Sequence, residues 1–189
     1  MKKTLKLIVA LLTMVLLTVS LFACGNGNTS KPTEAFTAFS NYIDAHGTAL
    51  SSSSNVKRLN YNNLKDDYFG TISISVYGYG NDINFYFSTS GGKLSISIYD
   101  YKSAHIHVSY KETLGNVEVS MNYSSLSSAY SGEVDYVKVS DVEQSKSSNL
   151  YSPAVSNAQR AVNAATTWMS AIVRNALGGS LTVHDLYNH

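Results

Sequence analysis

Between Tyr68 and Asn122 the chain alternates. Ile72, Ile74 and Val76 interleave with Ser73, Ser75 and Tyr77, and Ile83, Phe85 and Phe87 with Asn84 and Tyr86. Leu94, Ile96 and Ile98 interleave with Ser95, Ser97 and Tyr99. Ile106, Val108 and Tyr110 do so with His105, His107 and Ser109, and Val117, Val119 and Met121 with Glu118, Ser120 and Asn122. A period of two is that of strands with one face in a core and the other in water. Gly78 to Asp82, Ser90-Gly91-Gly92 and Gly115-Asn116 separate the runs as turns, a spacing that predicts an antiparallel meander. A further strand is expected over 133–140. There Val134 and Tyr136 fall out of phase with Val137 and Val139, which implies a bulge or a strand buried on both faces.

The period changes on either side of this region. Phe36, Phe39, Ile43 and Leu50 form one stripe of a helix over 33–50, with Thr33 as its cap, Glu34 at its positive end and Gly47 weakening its last turn. Val56 to Asp67 is ambiguous, with Leu59, Tyr61 and Leu64 docking either a loop or a short helix. Asp141 to Asn149 reads as a polar connection. Ser152 and Pro153 then open a long helix as cap and first residue, with Val155, Ala158, Val162, Ala165, Met169, Ile172 and Ala176 as its stripe and Gly178-Gly179 as its stop. Trp168 and Met169 read as packing residues of that helix. Leu181, Val183 and Leu186 can dock a short tail, in which His184 and His189 are expected to be exposed. A sheet with one apolar face must cover it, and two amphipathic helices are at hand. The expected fold is α+β: an antiparallel meander of five to six strands, with an N-terminal and a long C-terminal helix packed on one face and the other face open to water.

The first residues follow a different logic. Lys2, Lys3 and Lys6 precede an apolar run from Leu7 to Phe22, broken only by Thr13, Thr18 and Ser20. A basic start, a short apolar stretch and a small residue at its end make a secretory signal peptide. Sixteen helical residues reach roughly 24 Å, short of a bilayer core of roughly 30 Å. The run closes on Leu21-Phe22-Ala23-Cys24, and this Leu-x-Ala-Cys sequence resembles the lipobox of bacterial lipoproteins. The resemblance covers only about the first 25 positions. It implies cleavage before Cys24 and a diacylglyceryl group on its thiol, with Phe22 a departure from the usual small residue. Two acyl chains hold a protein on a membrane where one does not. The implied organisation is a signal peptide over 1–23, a lipidated Cys24 and flexible tether over 24–33, and a single α+β domain over 34–189.

Composition narrows the choices. Of 189 residues 14% are charged, against about 25% in an average domain, and 44% are hydrophobic, enough for a packed core. A single Cys excludes a disulfide scaffold and a cysteine zinc cluster. Loss of Lys2, Lys3 and Lys6 with the signal would take the net charge from +1 to −2. That balance argues against nucleic acid and leaves membrane attachment to the lipid alone.

Candidate chemistry sits on the open face of the sheet, where Ser and Asn stand beside rigid Tyr rings. Such rings offer contact area at low entropy cost, and the small polar groups offer adaptable hydrogen bonds. Tyr77, Tyr86, Tyr99, His105 and His107 are the candidate ligand-binding residues; the bland alternative is a solvated face. His105-x-His107 puts two imidazoles on one side of a strand, roughly 6.5–7 Å apart, and Glu118 or Asp100 could add a third ligand to a metal. Two histidines alone are a weak motif, and no cofactor or metal is expected. No Gly-x-Ser-x-Gly elbow and no phosphate loop occur. The expected role is a membrane-anchored extracytoplasmic binding module for a protein, glycan or small ligand. The alternatives are a hydrolase using His105 and His107, and a structural subunit of an envelope complex.

Overall fold

The computed structural model describes residues 32–50, 53–99, 105–126 and 132–187. The signal segment, Cys24 and most of the tether lie outside the described residues, as do Asp100 and His189.

The alternating region is a meander, and a longer one than expected. Nine strands form one antiparallel sheet in which every strand pairs with its sequence neighbours: β1 (Thr48–Leu50), β2 (Ser53–Asp66), β3 (Gly70–Tyr79), β4 (Asp82–Ser88), β5 (Gly92–Tyr99), β6 (His105–Glu112), β7 (Val117–Tyr123), β8 (Glu133–Val139) and β9 (Val142–Glu143). The five to six strands read from the sequence are β3 to β8. The ambiguous segment before them is neither loop nor helix but the long strand β2, and the polar connection after them contains β9. Both outer strands are very short, and a short edge offers little template for pairing with another chain.

The parity of the strands sets the core. Ile72, Ile74, Val76, Ile83, Phe85, Ile96, Ile98, Ile106, Val108, Val119 and Met121 are all fully buried. Helix α1 (Glu34–His46) packs over β2 and β3, and helix α2 (Tyr151–Leu177) over β6, β7 and β8; the two also touch each other. Both therefore lie on one face, and their apolar stripes join a single core with the strands. Phe39 of α1 stacks on Phe85 of β4 with ring centroids 6.0 Å apart. Small Ala158, Ala161 and Ala165 line the buried side of α2 around Val162 and Met169.

Local chemistry fixes the helix ends. The Thr33 hydroxyl accepts a bond from the Phe36 N–H at 2.9 Å, which caps α1 as expected. Helix α2 starts earlier than the Ser152-Pro153 reading placed it. Leu150 is its cap residue, without a side-chain bond, and Pro153 sits in the first turn, where a missing N–H costs nothing. Gly178, at φ +76°, ends it in a left-handed conformation that glycine adopts freely.

The tail is not an exposed terminus. It forms a 3-10 turn, Val183–Leu186, with Val183, Leu186 and Tyr187 buried. Asp185 and Thr182 cap each other, and the Thr33 hydroxyl donates to the Asp185 carbonyl at 2.9 Å. The tail thereby ties the start of α1 to the end of the chain. His184 is half-buried against Tyr187 instead of solvated.

Candidate functional site

Among the described residues the helices cover one face of the sheet and nothing covers the other. Strand register carries side chains across that face in rows. One row runs Arg58, Tyr77, Asn84, Ser97, His107, Asn122 and Glu133. The next runs Asn60, Ser75, Tyr86, Ser95, Ser109, Ser120 and Tyr136. All five sequence-chosen residues lie on this face, but they fall into separate groups.

Tyr77 and Tyr86 meet edge to face, with centroids 5.2 Å apart and planes at 82°. The Arg58 guanidinium lies 6.0 Å from the Tyr77 ring, at the outer reach of a cation–π contact. Tyr99 stands apart, 5.8 Å from the His105 ring directly across the β5–β6 pair. His107 belongs to a third group. Its Nε2 lies 3.1 Å from the Ser120 hydroxyl, which donates to Asp135 Oδ2 at 2.9 Å, while Asn122 donates to Asp135 Oδ1 at 2.6 Å. Ser97 donates in the same way to the Asn84 side chain. Ser97 and Ser120 are buried between their neighbours, so the face is less uniformly wet than alternation implied.

The His107–Ser120–Asp135 chain contains the residue types of a hydrolytic triad in the wrong order. In a triad the His stands between Ser and Asp and takes the serine proton. Here Ser120 stands in the middle and gives its proton to Asp135, so His107 Nε2 must donate to the serine oxygen. The arrangement orients side chains and does not activate a nucleophile.

Glu118 does not complete a metal site. It lies opposite Lys111, four residues along β6 from His107, roughly 13 Å away at strand rise. Its carboxylate is already occupied: the Tyr136 hydroxyl donates to Oε1 at 2.9 Å and Lys111 Nζ is 3.2 Å from Oε2. The Tyr136 bond leads, with Lys111 and Lys138 behind it, in holding Glu118 below the ordinary carboxylate range against the opposing effect of burial. Among the described residues no three His, Cys, Asp or Glu side chains converge on a point.

Sequence reasoning missed Asp135. It is the extra residue of a bulge in β8, since Ser120 pairs with Tyr136 while Met121 pairs with Val134. The out-of-phase pattern foretold an irregularity but not which side chain it would turn outward.

It also missed a concavity on the covered side. A cleft of about 380 Å³ opens between the end of the sheet and the first half of α2. Its walls carry Phe69, Phe87, Leu94 and Tyr110, with Asn157 and Arg160 on α2 and Glu112 at the end of β6. Tyr68 bridges its rim, donating to the Asn157 carbonyl at 3.2 Å, and Phe69 stacks on Phe87 with centroids 6.2 Å apart. Burial, with the Glu112 charge behind it, pushes the Tyr110 phenol well above its ordinary pKa. The phenol therefore stays protonated and donates to Glu112 Oε2 at 3.3 Å.

No family model, curated protein or solved structure matches this chain.

Proposed function

We propose that the protein is a lipid-anchored extracytoplasmic module that binds another protein through its bare sheet face. The observation behind this reading is that face itself: a wide sheet with both helices on the opposite side and the Arg58–Tyr77–Tyr86 cluster on the uncovered one. Strands β2 to β8 span roughly 30 Å at 4.8 Å per strand and are roughly 23 Å long, so the face projects roughly 700 Å². A standard protein interface takes about 800 Å² from each partner. Tyr and Arg are the residues that concentrate binding energy in such interfaces. The cleft of about 380 Å³ lies on the covered side and not on this face, and a broad uncovered face suits a protein surface better than a small molecule. The anchor rests on the Leu21 to Cys24 sequence and its resemblance to the lipobox. Among the described residues no helix is long and apolar enough to cross a membrane.

Two measurements test the proposal. Cys24→Ala should abolish acyl labelling and leave the precursor uncut; unchanged labelling refutes the anchor. Cross-linking in intact cells should join the wild-type protein to a discrete envelope protein. The Tyr77→Ala/Tyr86→Ala double variant should lose that adduct, since an aromatic anchor is worth about 2 kcal/mol or more, roughly thirtyfold in affinity. His105→Ala should keep it. An adduct indifferent to the tyrosines refutes the face as the docking surface, and retention on immobilised glycans that depends on them reassigns the partner to a sugar.

A further inference from the structure

The cleft beside α2 is built in a way that packing alone does not explain. Along β6 the covered-face parity runs Ile106, Val108, Tyr110 and Glu112, so a carboxylate occupies a position that continues the core. Across the cleft Arg160 projects from α2. The two opposite charges line one cavity, yet among the described residues they form no ion pair with each other. Glu112 Oε2 takes the Tyr110 hydroxyl at 3.3 Å, and Oε1 is left over. Arg160 spends one Nη on Asn157 Oδ1 at 2.6 Å, which leaves most of its N–H donors unspent.

The floor beside Glu112 is glycine backbone lying close against β6. A Cβ at Gly92 would sit 2.4 Å from the Lys111 carbonyl oxygen and 3.3 Å from the Glu112 Cα. Only glycine lets β5 and β6 approach this closely at the edge of the cleft. The Thr89 hydroxyl accepts the Gly91 and Gly92 N–H groups at 3.1 and 3.0 Å, so the turn's own donors are satisfied and the floor is fixed. Phe69, Phe87, Leu94 and Tyr110 supply the apolar walls. The volume of about 380 Å³ lies at the small end of ligand pockets, which run from about 300 to 1,000 Å³.

We propose that this cleft binds a free amino acid with a large apolar or aromatic side chain. Arg160 pairs with its carboxylate, Glu112 accepts its ammonium, and the Phe69–Phe87–Tyr110 walls take the side chain. A guanidinium matches a carboxylate edge to edge, and each charge-assisted contact fixes orientation as well as affinity. A ligand carrying both charges satisfies both residues together, whereas an uncharged apolar ligand would bury them unpaired. This site is separate from the bare face and does not depend on the protein-binding reading.

The test is calorimetric or NMR titration of the full chain in mild detergent with three probes: L-phenylalanine, 3-phenylpropionate, which lacks the ammonium, and 2-phenylethylamine, which lacks the carboxylate. L-phenylalanine should bind with a Kd of roughly 1 mM or tighter, as its size allows. Each truncated probe should bind at least about tenfold more weakly. Arg160→Gln should erase the advantage of L-phenylalanine over 2-phenylethylamine, and Glu112→Gln its advantage over 3-phenylpropionate. Glu112→Gln is isosteric, Arg160→Gln shortens a side chain that is exposed, and an unchanged circular dichroism spectrum verifies the fold. Should either fail to fold, Leu114→Trp at the exposed rim of the cleft should obstruct it and weaken L-phenylalanine at least about tenfold, and unchanged binding in that variant overturns the proposal. Tyr79→Ala, at an exposed ring on the opposite face, should bind as wild type does. No binding of L-phenylalanine at about 10 mM, equal affinity for all three probes, or loss of binding in Tyr79→Ala each overturns the proposal.

Discussion

Tyr187→Phe isolates the role of the C-terminal tail by removing one oxygen atom. The Tyr187 ring is 2% exposed, and its oxygen accepts the buried Leu126 N–H at 3.0 Å. A bond from Ser125 also reaches that oxygen, and His184 Nδ1 lies 2.5 Å away. The Leu126 N–H takes one lone pair, and the phenol and His184 Nδ1 share the short contact between them. Burial leads in raising the Tyr187 pKa, so the phenol stays protonated across the physiological range. Phenylalanine preserves the ring but leaves the Leu126 N–H and His184 Nδ1 without a partner. An unsatisfied buried backbone donor costs about 1–3 kcal/mol. For a domain of this size 1 kcal/mol moves Tm by about 2–4 °C, so Tm should fall by about 2–12 °C. Urea unfolding should show a lower midpoint with an unchanged slope. Tyr79→Phe, at a ring 64% exposed on the bare side, should change stability by less than about 0.5 kcal/mol. A Tyr187→Phe variant that melts with the wild type would mean that the tail is docked in name only.

Two further substitutions probe the core and one surface tie. Phe85→Ala, at a fully buried ring stacked on Phe39, should cost about 3–5 kcal/mol in urea unfolding; a loss under about 1 kcal/mol would deny the face assignment. Asp66 accepts the Tyr68 and Phe69 N–H groups on Oδ1 at 2.8 and 2.7 Å and the Trp168 indole N–H on Oδ2 at 2.7 Å. Burial alone would raise its pKa, but the Phe69, Trp168 and Tyr68 bonds together outweigh it and hold the carboxyl below its ordinary value. The stabilisation is therefore complete above the unfolded value of about 3.9 and is lost as pH falls through the lower folded value. Asp66→Asn should cost about 1 kcal/mol near neutrality, discounted for partial exposure, and the gap to wild type should close in acid. A gap that widens as pH falls refutes that account.

How far the sequence revealed the fold depends on whether a strand keeps its phase. Strands β3 to β7 do, and every apolar member of their alternation from Ile72 to Phe87 is buried. Strand β2 does not. Leu59 and Tyr61 share one parity and Leu64 has the other, because the register slips between Tyr61 and Leu64, where Asn63 has φ +58°. One inserted residue moves every later side chain to the opposite face. Leu59, Tyr61 and Leu64 all pack against the core, yet their spacing matches neither a strand nor a helix. Polar Lys57, Arg58, Asn60 and Asn62 around them weakened the signal further. Strands of two or three residues, such as β1 and β9, are too short to carry a period at all. The same reasoning covers the bare face. Tyr77 and Tyr86 were legible because β3 and β4 are regular, whereas Asp135 was hidden by the β8 bulge.

The cleft was illegible for a different reason: its parts come from the β2–β3 turn, the β4–β5 turn, the end of β6 and the first half of α2, and no local pattern joins four segments. Two of its residues still left a mark in the chain. Glu112 falls on the parity of Ile106, Val108 and Tyr110, where alternation calls for an apolar side chain. Ser90-Gly91-Gly92 reads as a turn, yet a turn needs a glycine for its φ, and Gly92 does not have a positive one. Its requirement is steric, the Lys111 carbonyl at 2.4 Å from any Cβ. The charge on core parity, and not the glycine beside it, marks the place where the chain gives up apolar packing. Burying that charge without a partner carries a cost of several kcal/mol. The cost is avoided here by leaving Glu112 at the mouth of an open cleft, where water or a cationic group can reach Oε1. A chain shaped only for stability would close that gap with an apolar residue at 112. Glu112→Leu separates the two pressures: if the cleft exists for a ligand, the variant should be as stable as wild type or more so while losing L-phenylalanine. A variant that is less stable by about 1 kcal/mol or more would show that the carboxylate serves the fold, through its bond from Tyr110, and that the cleft needs no ligand to explain it.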